Sequence, residues 1–112
     1  MSFEWREVVR HIIDEAEYLE RTSGGLDRER FLADQTLRRA FVRSIEVIGE
    51  AAKRLPPEIR AAHPHVDGKS MAGMRDRLIH AYFGVDHEIV WEVATTHAPR
   101  IREALRKMIE TA

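Results

Sequence analysis

Apolar positions recur along nearly the whole chain at the three-and-four spacing of a helix, and no segment alternates with the period of two that marks a strand. From Glu4 to Arg21 they fall at Trp5, Val8, Val9, Ile12, Ile13, Ala16 and Leu19, which predicts a helix with one buried stripe. Ser-Gly-Gly at 23–25 ends it. Asp27 is a good N-cap for a second helix that the pattern carries up to Pro56 and Pro57, as many as 28 residues. Phe31, Leu37, Phe41, Ile45, Ile48, Ala52 and Leu55 are its expected buried set.

Gly49 interrupts this second pattern at a cost of about 1 kcal/mol relative to Ala, and close approach of another helix is the expected reason. Glu46, Glu50, Lys53 and Arg54 read as a solvated face with weak pairs such as Glu50 with Arg54. A helical turn over Glu58 to Ala62 and a loop marked by Pro64 and Gly68 follow. The third main helix is expected from Ser70 to Phe83, with Gly84 as its stop and Asp86 as the next N-cap. In the last helix Ile89, Val93, His97, Ile101, Leu105 and Met108 stay in register across Pro99, whose ring would clash with the Thr95 carbonyl and force a kink or brief break. The pattern predicts an all-α fold, an up-and-down bundle of four main helices and one minor one.

The 112 residues, 44% hydrophobic and 33% charged, suit one globular domain over residues 1–112. No apolar run reaches the roughly 18 residues of a membrane span, and the first residues lack a signal-peptide pattern, so a cytoplasmic protein is expected. With no cysteine, disulfides, thiolate catalysis and Cys-based zinc sites are excluded. The net charge of −1 is unevenly spread. Residues 1–34 hold 9 acids and 5 bases, whereas residues 35–112 hold 10 acids and 13 bases, which allows a locally basic face.

One stretch, "MRDRLIHAYFGVD" from Met74 to Asp86, sets polar residues among core formers. On a helical projection with Arg75 at zero, Tyr82 falls at about 340°, Leu78 at about 300° and Ile79 at about 40°, so Arg75 and Tyr82 are expected inside the apolar arc. Asp76 and His80, at about 100° and 140°, flank it as an i, i+4 pair, while Arg77, at about 200°, points to solvent. An unpaired guanidinium is disfavoured in an apolar setting, so Arg75 needs a phosphate, a partner chain, or an acid such as Glu46 or Glu50. Arg, His, an orienting Asp and a Tyr hydroxyl suit phosphodiester cleavage without a metal: His takes a proton near pH 7, Arg holds the phosphate, and RNA brings its own 2′-OH.

Other candidates carry less. His63 and His65 form an H-x-H without a third ligand, so a metal site is not expected there. His11, His87 and His97 read as surface or packing residues, and Met71 and Met74 as core. No basic recognition helix follows a short turn, which argues against DNA binding.

Arg75, His80 and Tyr82 spell R-x4-H-x-Y, and with "IEVIGEAAKRL", "AGMRDRLIHAYFGVD" and "EIVWEV" the chain from about Asp34 to its last helix resembles the HepT-like toxins of the HEPN superfamily. The resemblance implies a HEPN-like homodimer in which the motifs of two subunits meet at one cleft, making it positive. It implies a metal-independent endoribonuclease with no cofactor, the toxin of a bacterial toxin–antitoxin pair whose antitoxin is an MNT-type minimal nucleotidyltransferase. By position, Arg75 and His80 match the catalytic pair, Asp76 the supporting polar residue that is commonly Asn, and Tyr82 the tyrosine that the antitoxin can modify with AMP. "HPHVDGKS" departs from the usual "HPEIPW". The alternative is a non-catalytic module whose cleft only holds a nucleotide or docks the nucleotidyltransferase; both readings need Arg75, and only catalysis needs His80.

Overall fold

A computed structural model describes residues 4–80 and 84–110, with the side chains of residues 79 and 80 outside that description. Helix α1 (Trp5–Gly24) starts where the Glu4 carboxylate accepts the Arg6 N–H at 3.0 Å. It buries Val9, Ile12, Ile13, Ala16 and Leu19, the predicted stripe, while Trp5 and Val8 pack at the core's margin. Asp27 caps α2 (Arg28–Ala33) through the Arg30 N–H at 2.8 Å, as expected. The helix then stops after one and a half turns.

The single helix expected up to Pro56 is in fact two. At Asp34 the backbone is extended; its N–H closes α2 on the Phe31 carbonyl, and its carboxylate opens α3 (Gln35–Lys53) by accepting the Leu37 N–H at 3.0 Å. Because the apolar spacing runs through the break, it hides the cap. The change of direction has a packing result: Phe31 lies 4.7 Å from Phe41 of α3 and 5.3 Å from Trp91 further along the chain, centroid to centroid, tying three elements at one corner.

After α4 (Pro57–Ala62), helix α5 (Gly68–Leu78) packs against α3. Gly49 sits at this crossing: a Cβ there would lie 3.5 Å from the Ala72 carbonyl oxygen and 3.6 Å from that of Met71, the close approach anticipated from its position. Helix α5 is shorter than predicted. The Leu78 carbonyl, which a continuing helix would offer to the N–H four residues on, accepts instead from Asp86 N–H at 2.9 Å. Strand β1 (Ile79–His80) pairs antiparallel with β2 (Gly84–Val85), Ile79 with Val85 and His80 with Gly84. Gly84 has φ of +78°, the left-handed conformation that a side chain disfavours. This two-residue ladder corrects the expectation of no strand without changing the all-α class.

Asp86 caps α6 (His87–Glu92) as predicted, accepting from Glu88 N–H and Ile89 N–H at 3.1 and 3.3 Å. A π-helical turn, Val93–His97, joins α6 to α7 (Ala98–Glu110), with Ala98 N–H donating to the Val93 carbonyl five residues back. This is the break anticipated at Pro99: widening the turn just before the proline shifts the carbonyl that its ring would strike. The Thr95 hydroxyl takes up the Trp91 carbonyl at 2.9 Å. Helix α1 lies between α3 and α7, and α3 between α1 and α5, so one core of Ile12, Leu19, Phe41, Ile48, Leu78, Leu105 and Met108 fills the bundle.

Candidate functional site

The crossing at Gly49 decides where Arg75 goes. Chain direction reverses between α3 and α5, so one turn back from Gly49 and one turn on from Met71 bring Glu46 and Arg75 together. Arg75 Nε donates to Glu46 Oε2 at 3.2 Å. Of the two acids that the sequence offered as partners, Glu46 is the one used; Glu50 pairs with Lys53 at 3.6 Å instead.

Arg75 is not sunk in an apolar arc. Its side chain is 47% exposed, because the wheel carried the apolar arc on to residues 79 and 82 and the helix ends at Leu78. The Nη1 and Nη2 groups make no hydrogen bond among the described residues. They form an open edge suited to two oxygens of one phosphate. Asp76 is exposed, and its Oδ1 lies 3.9 Å from Arg75 Nη1, too far for a hydrogen bond but close enough to set a second carboxylate beside this cation. Glu46 and Asp76 thus set two carboxylates beside the Arg75 guanidinium. Both Arg75 and Arg77 lie in the last turn of α5, where the helix dipole favours cations. Arg77 points the other way, exposed as predicted, with Nη2 donating to the Ser70 carbonyl at 3.2 Å.

His80 stands two residues past the end of α5, its backbone in β1. Helical i, i+4 geometry therefore does not relate it to Asp76. Its imidazole, like the whole of Tyr82, lies outside the described residues. The structure brings together Arg75, Asp76 and Glu46, with the His80 backbone just beyond the same helix end. Glu46 is the added member of this group. The signal that could have singled it out is its place one turn before Gly49, facing the residue one turn after the crossing.

His63 lies against Trp5, centroids 5.8 Å apart, and against His65 at 6.0 Å. Met71 and Met74 are buried, as expected of core residues.

The sequence profile of the Ribonuclease HepT-like family matches residues 12–108, from α1 to α7. The chain is 44% identical over 105 residues, 94% of each chain, to a candidate RNase of Caldanaerobacter subterraneus subsp. tengcongensis. It is 46% identical over 85 residues to a candidate RNase of Methanocaldococcus jannaschii, covering 76% of this chain and 73% of that one. With a protein of Thermococcus cleftensis named probable ribonuclease HepT it shares 34% over 103 residues, 92% of this chain and 94% of the other. No solved structure matches. From α1 to α7, and with Arg75 and His80 inside the matched span, the chain belongs to the HepT-like ribonuclease family.

Proposed function

We propose that this protein is a metal-independent endoribonuclease, one domain over residues 1–112, that acts as the toxin of a bacterial toxin–antitoxin pair in the cytoplasm. The observation that carries the reading is the open Nη edge of Arg75 at the end of α5, with His80 two residues beyond that end, in a chain of the HepT-like family. Arg75 holds the scissile phosphate and stabilises the charge that builds on its oxygens. His80 takes the proton of the 2′-OH; O2′ bonds to phosphorus and the P–O5′ bond breaks. The leaving 5′-oxygen gains a proton, and the products are a 2′,3′-cyclic phosphate and a 5′-hydroxyl. Asp76 supports the site, and a homodimer places two motifs at one cleft.

Neutralisation follows from the family resemblance. An MNT-type nucleotidyltransferase that attaches AMP to Tyr82 adds a phosphate and a base within the motif, and these compete with RNA for the Arg75 cation. Co-expression with that antitoxin gives an adduct of about 329 Da on Tyr82 by intact mass; full neutralisation without an adduct overturns this arm.

The activity itself is tested by inducing wild type, Arg75→Ala and His80→Ala and following growth and RNA integrity, with the purified proteins assayed on single-stranded RNA in EDTA. Wild type arrests growth and leaves cyclic phosphate ends, and either substitution lowers cleavage at least about a hundredfold. A wild type that is harmless and leaves RNA intact without its antitoxin ends the enzyme reading.

A further inference from the structure

Two carboxylates flank Arg75, whereas a hollow lined by cations with no carboxylate partner among the described residues lies on the opposite side of α5. The loop ahead of α5, the face of α5 that carries Arg77, and the junction of the π turn with α7 enclose a cavity of about 240 Å³. Its lining includes two guanidiniums, Arg77 and Arg100, and two imidazoles, His65 and His97. Below them lie Met71, Met74 and Leu105, each buried and apolar.

The acid in the lining, Asp67, is already engaged, its carboxylate accepting Ser70 N–H at 2.8 Å. Arg77 binds only the neutral oxygens of Ser70, and neither it nor Arg100 pairs with a carboxylate among the described residues. His65 Nε2 is 3.1 Å from the Ala104 carbonyl oxygen, which can only accept, so that nitrogen carries the hydrogen and the ring is held in place. His97 closes the π turn, a widened geometry that recurs at functional sites.

The two guanidiniums, without a carboxylate partner among the described residues, suit an anion with several acceptor oxygens. Thioether and aliphatic groups beneath them suit a flat, polarizable ring. The volume, just below the roughly 300 Å³ where ligand pockets begin, suits a ligand no larger than a mononucleotide.

We infer that this cavity binds a single nucleotide, its phosphate at Arg77 and Arg100 and its base over Met71 and Met74. The nucleotide is either free in solution or one residue of an RNA strand that passes around the end of α5. The RNA source rests on the ribonuclease reading above; the free nucleotide does not.

Calorimetric titration with AMP, adenosine and inorganic phosphate tests the site. AMP binds below about 1 mM, a modest affinity for so small a contact, and each fragment binds at least about tenfold more weakly. The double substitution Arg77→Ala with Arg100→Ala weakens AMP at least about tenfold, the usual scale for lost charge-assisted hydrogen bonds, and His80→Ala leaves it unchanged. In the wild type, where no folding defect intervenes, AMP shifts the ring signals of His65 and His97 in NMR spectra and not those of His11.

Absence of AMP binding overturns the inference. So does AMP binding that survives the double substitution and is lost in His80→Ala, which places the ligand at the Arg75 site. A single-stranded RNA titrated into His80→Ala separates the sources: displacement by AMP assigns the cavity to RNA, and indifference to AMP assigns it to the free nucleotide. A wild type that binds AMP here yet fails to cut RNA defeats the activity reading alone.

Discussion

At the scale of single residues, the contact between Arg75 and Glu46 has two opposed effects. The carboxylate at 3.2 Å fixes Nε and so aims the Nη edge outward, yet its charge also lowers the pull of Arg75 on a phosphate. Glu46→Gln keeps an acceptor at Nε and removes the charge. With Glu46 as a positioning residue, this variant binds RNA several-fold more tightly, seen as a lower KM, with kcat nearly unchanged. Glu46→Ala frees the guanidinium and lowers kcat about tenfold or more; equal kinetics for all three proteins removes the role. His87 supplies a different test. Burial, and the nearby Arg38, hold its imidazole below its ordinary value of 6.5 despite Asp86, and its Nδ1 is buried without a hydrogen-bond partner among the described residues. Between the folded value and 6.5 the unfolded chain binds more protons, so this contribution to stability is full above pH 6.5 and is lost as pH falls through the folded value. Melting temperatures from pH 8 to pH 5 fall more steeply for wild type than for His87→Gln; parallel curves contradict the assignment. Arg75 was legible as an exceptional residue because a guanidinium among apolar neighbours needs a partner. Its half-exposed state was not, since a helical wheel assumes that the helix continues.

Among the elements, what could be read in advance and what could not separates along local chemistry. The caps at Asp27 and Asp86, the stop near Gly25 and the disturbance before Pro99 were legible, each set by one residue's bonding capacity within a turn of itself. The end of α5 at Leu78 was not, because no Gly or Pro stands there and the decisive bond, Asp86 N–H to the Leu78 carbonyl, comes from a residue eight positions away. The break at Asp34 had a local signal that the apolar spacing masked. Asp34→Ala removes the acceptor for Leu37 N–H and costs about 1 kcal/mol in urea unfolding; no loss there means that packing of Phe31 holds the break by itself. The α3–α5 crossing makes a sharper contrast. A Cβ at Gly49 meets two carbonyl oxygens at ordinary contact distance, so Gly49→Ala is tolerated and gains up to about 1 kcal/mol of helix propensity. Gly49→Leu drives a side chain into the crossing and loses about 1–3 kcal/mol. Similar stabilities for the two variants mean that the helices separate easily, and with them Glu46 from Arg75.

On the scale of the whole molecule, the distribution of charge is what sequence spacing alone concealed. Residues 35–112 carry the excess of bases, but folding sets Glu46 and Asp76 beside Arg75 and gathers Arg77, Arg100, His65 and His97 from three segments into one hollow. In the proposed dimer, two motifs at one cleft bring a second cation and a second imidazole together with their own flanking carboxylates. If the reacting group is composite, with Arg75 from one subunit and His80 from the other, two inactive proteins complement each other. Arg75→Ala and His80→Ala subunits, mixed under conditions that exchange protomers, form mixed dimers in half of all pairings, each with one intact combination out of two. Such a mixture recovers about a quarter of wild-type cleavage, whereas either variant alone stays inactive. A site built within one subunit gives no recovery, because every mixed dimer then holds one motif without its Arg and one without its His. Light scattering at micromolar concentration completes the test: a monomer with full activity removes the shared cleft, and a dimer without complementation assigns both residues of each reacting pair to the same chain.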